Sequence, residues 1–471
     1  MATLLAKNAE VLVTMDDERR EIRGGGLFVR DGFVEQVGVT DELPSEADVV
    51  LDMSGQVVLP GFVNTHHHLD QTLTRALPEA QNLNLFPWLQ AHYRIWARKT
   101  PAATRTSTIV GLAESALSGC TTMFDHSHIW KSGSRVDDQI AAAAEIGVRF
   151  HASRGSLSLG ESQGGLPPDE VTEDEDFILE DCQRVIEEYH DTSRGSMIQI
   201  VLSPCSPFSV TADLLKNTAE LARQYEAVGL HTHLAETLDE EKYTLETYGL
   251  RPVEWMQTVD WLGDDVWFAH AVHVNPDEIR QMAATGTGVA HCPNSNMRLA
   301  SGIAPVKDYR DAGVKVGIGV DGSASSDASH LLLEVRQAMY LARLRIGLLP
   351  PEGPMTVLST SDPLRREEWV TARDAIEIGT RGGAAVLGRS DIGHLAPGMC
   401  ADFFSIDLNT IDLAGGMADP VASIIFCAPQ KTKYTVINGK IIVDDGQIAT
   451  IDMGPVLEEH AEHARHLWTG E

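Results

Sequence analysis

The most reactive side chains of this sequence stand in short clusters, each at the end of an apolar run. Thr65-His66-His67-His68 follows VVLPGFVN. Alternate residues of a strand share a face. His66 and His68 therefore point one way, in phase with Phe62 and Asn64, and His67 points the other. Two imidazoles on one face make half of a metal site. Two solvated histidines have the same spacing, so the motif needs partners. His231-Thr232-His233-Leu234-Ala235-Glu236 follows a second apolar run. Both histidines face one side, and either can serve as a ligand. Glu236 falls where strand gives way to loop, a place from which a carboxylate can move protons without binding metal. The plainer reading of AETLDEEKY is an acidic loop. His270 ends VWFAH, where a lone histidine is as readily a core residue.

VKVGIGVDGSASSD alternates Val314, Val316, Ile318 and Val320 with Lys315, Gly317, Gly319 and Asp321. Asp321 is in phase with two glycines, whose face leaves room inside a crowded barrel. A carboxylate at such a strand end is costly unless paired or metal-bound. Each signal alone is ambiguous. Together they bring imidazoles and a carboxylate to the ends of four separate strands, which is how barrel enzymes assemble a site. Candidate substrate contacts lie on the loops after strands: Gln71, Trp88 in NLFPWL, His126 in FDHSH, and Arg154 in SRGS. Trp88 suits stacking or capping. His126 and His128 suit substrate donation or support of the ligands. Arg154 suits a carbonyl or a structural ion pair.

These clusters require parallel strands separated by helices. MIQIVLSP, AVGLHTHLAE, VWFAHAV, GVAHCP and VKVGIGVDG read as strands, and PDEIRQMAATG and ASHLLLEVRQAMYLARLR as helices. Alternating βα units imply a parallel sheet, and this many favour a closed α/β barrel, a (β/α)8 or TIM-like fold. The doubly wound alternative lacks a G-x-G-x-x-G loop. Both ends of the chain are strand-rich. Asp31-Gly32 and Asn438-Gly439 mark hairpins, with a further turn at Asp445-Gly446. The expected organisation is a composite β-sandwich from residues 1–59 and 391–450, a barrel over 60–390 inserted between its halves, and a C-terminal helix over 451–471.

Composition narrows the function. Sixty-eight acidic against 37 basic residues give a net charge of −31. That disfavours nucleic acid, which needs a basic surface, and an anionic membrane surface. No apolar run reaches the roughly 18 residues of a membrane span, and the N-terminal stretch does not read as a signal peptide. Six cysteines without C-x-x-C spacing suit free thiols in a reducing cytoplasm.

At this point the motifs resemble the amidohydrolase superfamily, in the branch of mononuclear aminohydrolases acting on purines, pyrimidines and s-triazines. The resemblance rests on PGFVNTHHHLDQTLTRA, SGCTTMFDH, LHTHLAET, FAHAVHV, HCPNSNMRLASGIAP, GVDGSASSDAS, GTRGGAAVLG and GHLAPGMCADF. GGLPPDE after SRGSLSLGESQ, with SPCSPFSV, is most similar to the 8-oxoguanine deaminases, with hydroxyatrazine and related triazine hydrolases next. The resemblance implies that His66, His68, His233 and Asp321 bind metal. It implies that Glu236 shuttles protons and that His270, with Asp321, orients the attacking water. MIQIVLSPCSP lacks the lysine that bridges two ions in dimetal relatives, so one ion is expected, zinc or else iron(II). The implied reaction is hydrolytic deamination of a small heterocyclic amine, 8-oxoguanine to urate and ammonia, by a homo-oligomer. Isocytosine-like and pterin rings remain open. An s-triazine amino- or chlorohydrolase is the alternative, and a barrel scaffold without catalysis ranks lowest, because every ligand is in place.

Overall fold

A computed structural model describes residues 2–348 and 369–470. Eight parallel strands close into a barrel: β1 (Phe62–Asn64), β2 (Cys120–Phe124), β3 (Arg149–Ser156), β4 (Ile198–Pro204), β5 (Gly229–Leu234), β6 (Val266–His270), β7 (Gly288–His291) and β8 (Val316–Ile318). Ile318 pairs with Asn64 to seal the ring. Helices such as Pro101–Leu117, Glu175–Tyr189, Pro276–Thr285 and Leu331–Leu348 alternate with the strands and pack on the barrel's outer face.

Two strands lie outside the set that the apolar pattern singles out. CTTMF of β2 is buried throughout, so polar and apolar positions do not alternate. RFHASRGS of β3 is buried too, yet carries Arg149, His151 and Arg154, which are accommodated by ion pairs and hydrogen bonds. A second difference concerns β1 and β8. The alternation read through His68 and through Asp321 is broken by a kink in each strand. Beyond it, His67–His68 and Asp321–Gly322 form their own short parallel pair above the barrel. The two glycines consequently make room in different places. A Cβ on Gly319 would lie 2.7 Å from that of His66, and one on Gly317 would lie 2.6 Å from Thr65 Cγ2.

Both termini build the remaining sheets. A four-stranded sheet holds Phe33–Val39, Gly25–Arg30, Thr3–Ala9 and Val49–Asp52. A seven-stranded sheet contains N-terminal Gln56–Pro60 antiparallel to C-terminal Phe403–Asp407, so the two ends of the chain share one sheet. Leu4, Leu12, Leu27, Val58, Phe403 and Val436 form the core between them. Asp31 and Gly32 (φ 49° and 85°), and Asn438 and Gly439 (φ 50° and 75°), take the left-handed conformation that two-residue hairpins require. The C-terminal helix Met453–Thr469 lies on the surface and buries Val456 and Leu467. None of the described helices is long and apolar enough to cross a membrane.

A buried ion pair joins barrel to sandwich. Arg149, at the start of β3, sets Nε and Nη2 each 3.1 Å from the two oxygens of Asp402, beside the strand Phe403–Asp407. Its Nη1 donates to the carbonyls of Gly195 and Ser196. Removing one partner of a buried pair strands the other charge. Arg149→Met is therefore expected to destabilise the fold by about 3–5 kcal/mol. Guanidinium unfolding checks this: the midpoint falls, and Arg149→Met/Asp402→Leu recovers part of the loss. An unchanged midpoint would refute the tie.

Candidate active site

The reactive clusters meet at the C-terminal mouth of the barrel. Asp321 Oδ1 lies 3.3 Å from Nε2 of both His66 and His68, and Asp321 Oδ2 lies 3.7 Å from His270 Nε2. His68 Nε2 is 3.1 Å from His233 Nε2. Glu236 Oε2 is 3.5 Å from His270 Nε2. All of these side chains are buried except that of His233, which is partly so.

Hydrogen bonds at the far nitrogens define what the near ones present. His68 Nδ1 donates to the carbonyl of His126 (2.6 Å) and His233 Nδ1 to that of Cys205 (2.7 Å). His231 Nδ1 donates to the carbonyl of Trp267 (2.9 Å), which leaves its Nε2 to accept from His66 Nδ1 (2.8 Å). Each Nε2 of His66, His68 and His233 then carries a lone pair. His66 Nε2 has no hydrogen-bond partner at all. Lone pairs facing one another at 3.1 Å repel unless a cation lies between them. Burial drives the pKa of His66 and His233 well below the usual imidazole value, so these rings stay neutral. Burial also opposes a charge on His68, but its contact with Asp321 outweighs this and raises its pKa. The site thus draws positive charge to its centre, and three imidazoles with one carboxylate fit a single divalent ion. The spacing left His231 and His233 equivalent. The fold separates them: His231 stacks on Trp267 and braces His66 from below.

The carboxylates are held differently. Asp321 accepts from the Gly322 amide (2.7 Å) and Ser325 Oγ (3.0 Å). Burial works against its charge, yet its close contacts with His66 and His68 hold it well below the usual carboxylate range. Glu236 accepts from Ser301 Oγ (3.2 Å), and burial raises its pKa. The backbone before it is pinned by Glu240, which accepts from the amides of Ala235 and Glu236. Asn296 Oδ1 accepts from His270 Nδ1 (2.9 Å) and orients that ring. Asn64 Oδ1 accepts from the amides of His66 and Val320, tying β1 to β8. Glu240, Ser301, Ser325, Asn64 and Asn296 carry no signal of their own in the sequence. Asn296 and Ser301 fall inside the HCPNSNMRLASGIAP motif, which marked the segment without assigning either a task.

A cavity opens onto this centre. His68, His233, Glu236, His270 and Asp321 form its polar end, and Leu85, Trp88, Leu89, Phe208 and Leu299 its apolar wall. Gln71 lines it beside Gly322, and the Trp88 indole N–H is buried without a partner. The other two candidate contacts are placed elsewhere. The His126 ring lies behind the centre, packed against His233 at 4.6 Å between centroids, and it is absent from the cavity lining. Arg154 is turned away, where Glu173 and Asp181 pair with its guanidinium. Those two carboxylates, distant in sequence, draw it out of reach of a substrate.

Imidazoles and a carboxylate gathered at the mouth of a (β/α)8 barrel define the metal-dependent barrel hydrolases. The comparisons make the class specific. The amidohydrolase family profile matches residues 57–442. An 8-oxoguanine deaminase from Pseudomonas aeruginosa is 44% identical over 95% of both chains. A hydroxydechloroatrazine ethylaminohydrolase from a Pseudomonas species is 34% identical over 96% of this chain and 93% of its own. The crystal structure of atrazine chlorohydrolase from Arthrobacter aurescens complexed with zinc superposes with a TM-score of 0.90 at 31% identity, covering 98% of this chain and all of that one. The chain belongs to the amidohydrolase family, and it is a hydrolase acting on C–N bonds.

His231 is absent from the cavity lining and meets the centre through His66, so it serves as a positioning residue. His231→Phe is expected to weaken metal binding about 10–100-fold, as loss of an outer partner does. Competition with a chromogenic chelator measures this. Unchanged affinity would show that His66 needs no brace.

Proposed function

We propose that the protein deaminates an amino-oxo heterocycle, 8-oxoguanine first, to urate and ammonia. The observation that carries the reading is the pairing, in one cavity, of a cation-seeking imidazole–carboxylate centre with the buried Glu236 at its rim. The 8-oxoguanine deaminase relative supports the substrate class. We assign His66, His68, His233 and Asp321 to a single divalent ion. Zinc is the first choice, supported by the zinc-bound structural neighbour, and β4 carries no lysine to bridge a second.

A divalent ion held by these residues would supply Lewis-acid activation of water, lowering its pKa to about 7. Asp321 and His270 orient that water over the ring carbon bearing the exocyclic amine, and Asp321 takes up its proton. Glu236, whose neutral form burial favours, delivers a proton to the adjacent ring nitrogen. Asp321 then passes its proton to the amine, the carbon–nitrogen bond breaks, ammonia leaves, and the proton of the new hydroxyl returns to Glu236 as the carbonyl forms. Overall one water is consumed, one ammonia is released and a ring carbonyl replaces the amine. The apolar wall suits the faces of a flat ring, and Gln71 and the unpartnered Trp88 N–H suit its oxo groups.

Metal-loaded protein should release ammonia from 8-oxoguanine. Glu236→Gln should lower kcat about 10²–10⁴-fold with metal content unchanged, and chelation should abolish turnover. No ammonia from 8-oxoguanine, isocytosine or pterins would overturn the reading. Alkylamine release from hydroxyatrazine would favour the triazine alternative, which the second relative and the structural neighbour support.

A further inference from the structure

A second set of donors stands beside the centre just described, two of them on the cavity lining. His126 and His128 lie in the loop after β2, and Cys205 follows the end of β4. One donor atom from each lies within 4.8 Å of the other two, a span that three ligands of one ion can share. All three side chains are at least nine-tenths buried. Both ring nitrogens of His126 and Nε2 of His128 have no hydrogen-bond partner. His128 Nδ1 faces the carbonyl of His126 at 3.3 Å, so the tautomer that donates there leaves a lone pair on Nε2. Unpartnered buried nitrogens are costly, and a native site retains them for a reason. No carboxylate belongs to this group. Two imidazoles and a thiol select soft ions, whereas the set built on Asp321 suits a borderline divalent one.

We propose that His126, His128 and Cys205 form a second cation site, which takes a thiophilic ion of the cadmium or copper(I) class and blocks the cavity when filled. His128 and Cys205 both line the cavity, as His233 does. Cys205 Sγ lies 3.8 Å from His233 Nδ1. An ion there stands where the substrate must lie. Binding breaks the S–H bond, forms a sulfur–metal bond and releases the proton to solvent.

The probe is Cd²⁺, titrated into holoenzyme carrying its resident ion. The thiolate-to-cadmium charge-transfer absorption, bound cadmium after dialysis and ammonia release are followed together. The expected result is an absorption band that grows in step with the loss of turnover. Cys205→Ser should lose the band, and His128→Gln should require more Cd²⁺ to develop it. Asp321→Asn, altered only at the proposed catalytic ion, should keep it. A band that survives in Cys205→Ser, or vanishes in Asp321→Asn, would overturn the second site. A band that forms without loss of turnover would overturn the block. The inference uses the proposed function only for its activity readout. Failure of that function shows separately, as absence of ammonia release before any cadmium is added.

Discussion

Three imidazole nitrogens crowd one carboxylate, and the 3.1 Å approach of His68 Nε2 to His233 Nε2 is the tightest point of that crowd. Neutral rings in that position repel, and the structure around them is arranged so that they cannot turn away. Each ring is fixed through its other nitrogen: His68 by the carbonyl of His126 after β2, His233 by that of Cys205 after β4, His270 by the Asn296 side chain, and His66 by His231, itself held by the carbonyl of Trp267 within β6. The proposed ligands follow or end β1, β5 and β8, so ligands and the carbonyls that hold them come from different strands of the barrel. Closure of the barrel is what fixes their registers relative to one another. The cation-binding geometry is a property of the whole ring of strands rather than of the loops above it.

The chain also departs from ordinary backbone geometry at this rim. Ala235, His270 and Asp321 have φ of 52°, 68° and 63°, a region that residues with a Cβ seldom occupy. Conformations of this kind cost about 1–3 kcal/mol each and persist where surrounding contacts over-determine them. Those contacts can be named. Glu240 holds the amides of Ala235 and Glu236, Asn296 holds the His270 ring, and Ser325 with the Gly322 amide holds Asp321. The sharp turns let a side chain at a strand end face the mouth instead of continuing the pleat. Without them, strict alternation would not bring His66, His68 and Asp321 to one point.

That departure also decides what could be read from sequence. Residue types at strand ends were legible in combination, because imidazoles and a carboxylate recur at the ends of four separate strands. The hairpins of the terminal sheets were legible from Asp-Gly and Asn-Gly, whose left-handed backbone is a local requirement. The phase argument through Asp321 was not a sound guide, since the kink after β8 is imposed by pairing with His67–His68, a contact some 250 residues away in the chain. Arg154 and His126 show the same limit. Whether an arginine meets a substrate or Glu173 depends on where a distant helix and loop lie, and no local pattern encodes that. β2 and β3 escaped the apolar pattern because strands buried on both faces need not alternate.

Two carboxylates in one cavity are driven in opposite directions, and this separates their roles. Asp321 sits among imidazoles and amide donors, which hold it ionised despite burial. Glu236 meets one hydroxyl and the edge of His270, and burial there favours its neutral form. A site that must gather positive charge and also keep a proton in reserve cannot do both with like groups in like surroundings. The H-x-x-E spacing achieves the separation at little structural cost. It places His233 near the end of β5, facing His68, and Glu236 just beyond the turn at the left-handed residue Ala235. Moving that turn by one residue would direct Glu236 either into the crowd of imidazoles or out to solvent. In the first place it would lose its proton to the centre, and in the second its pKa would fall back toward that of an ordinary glutamate.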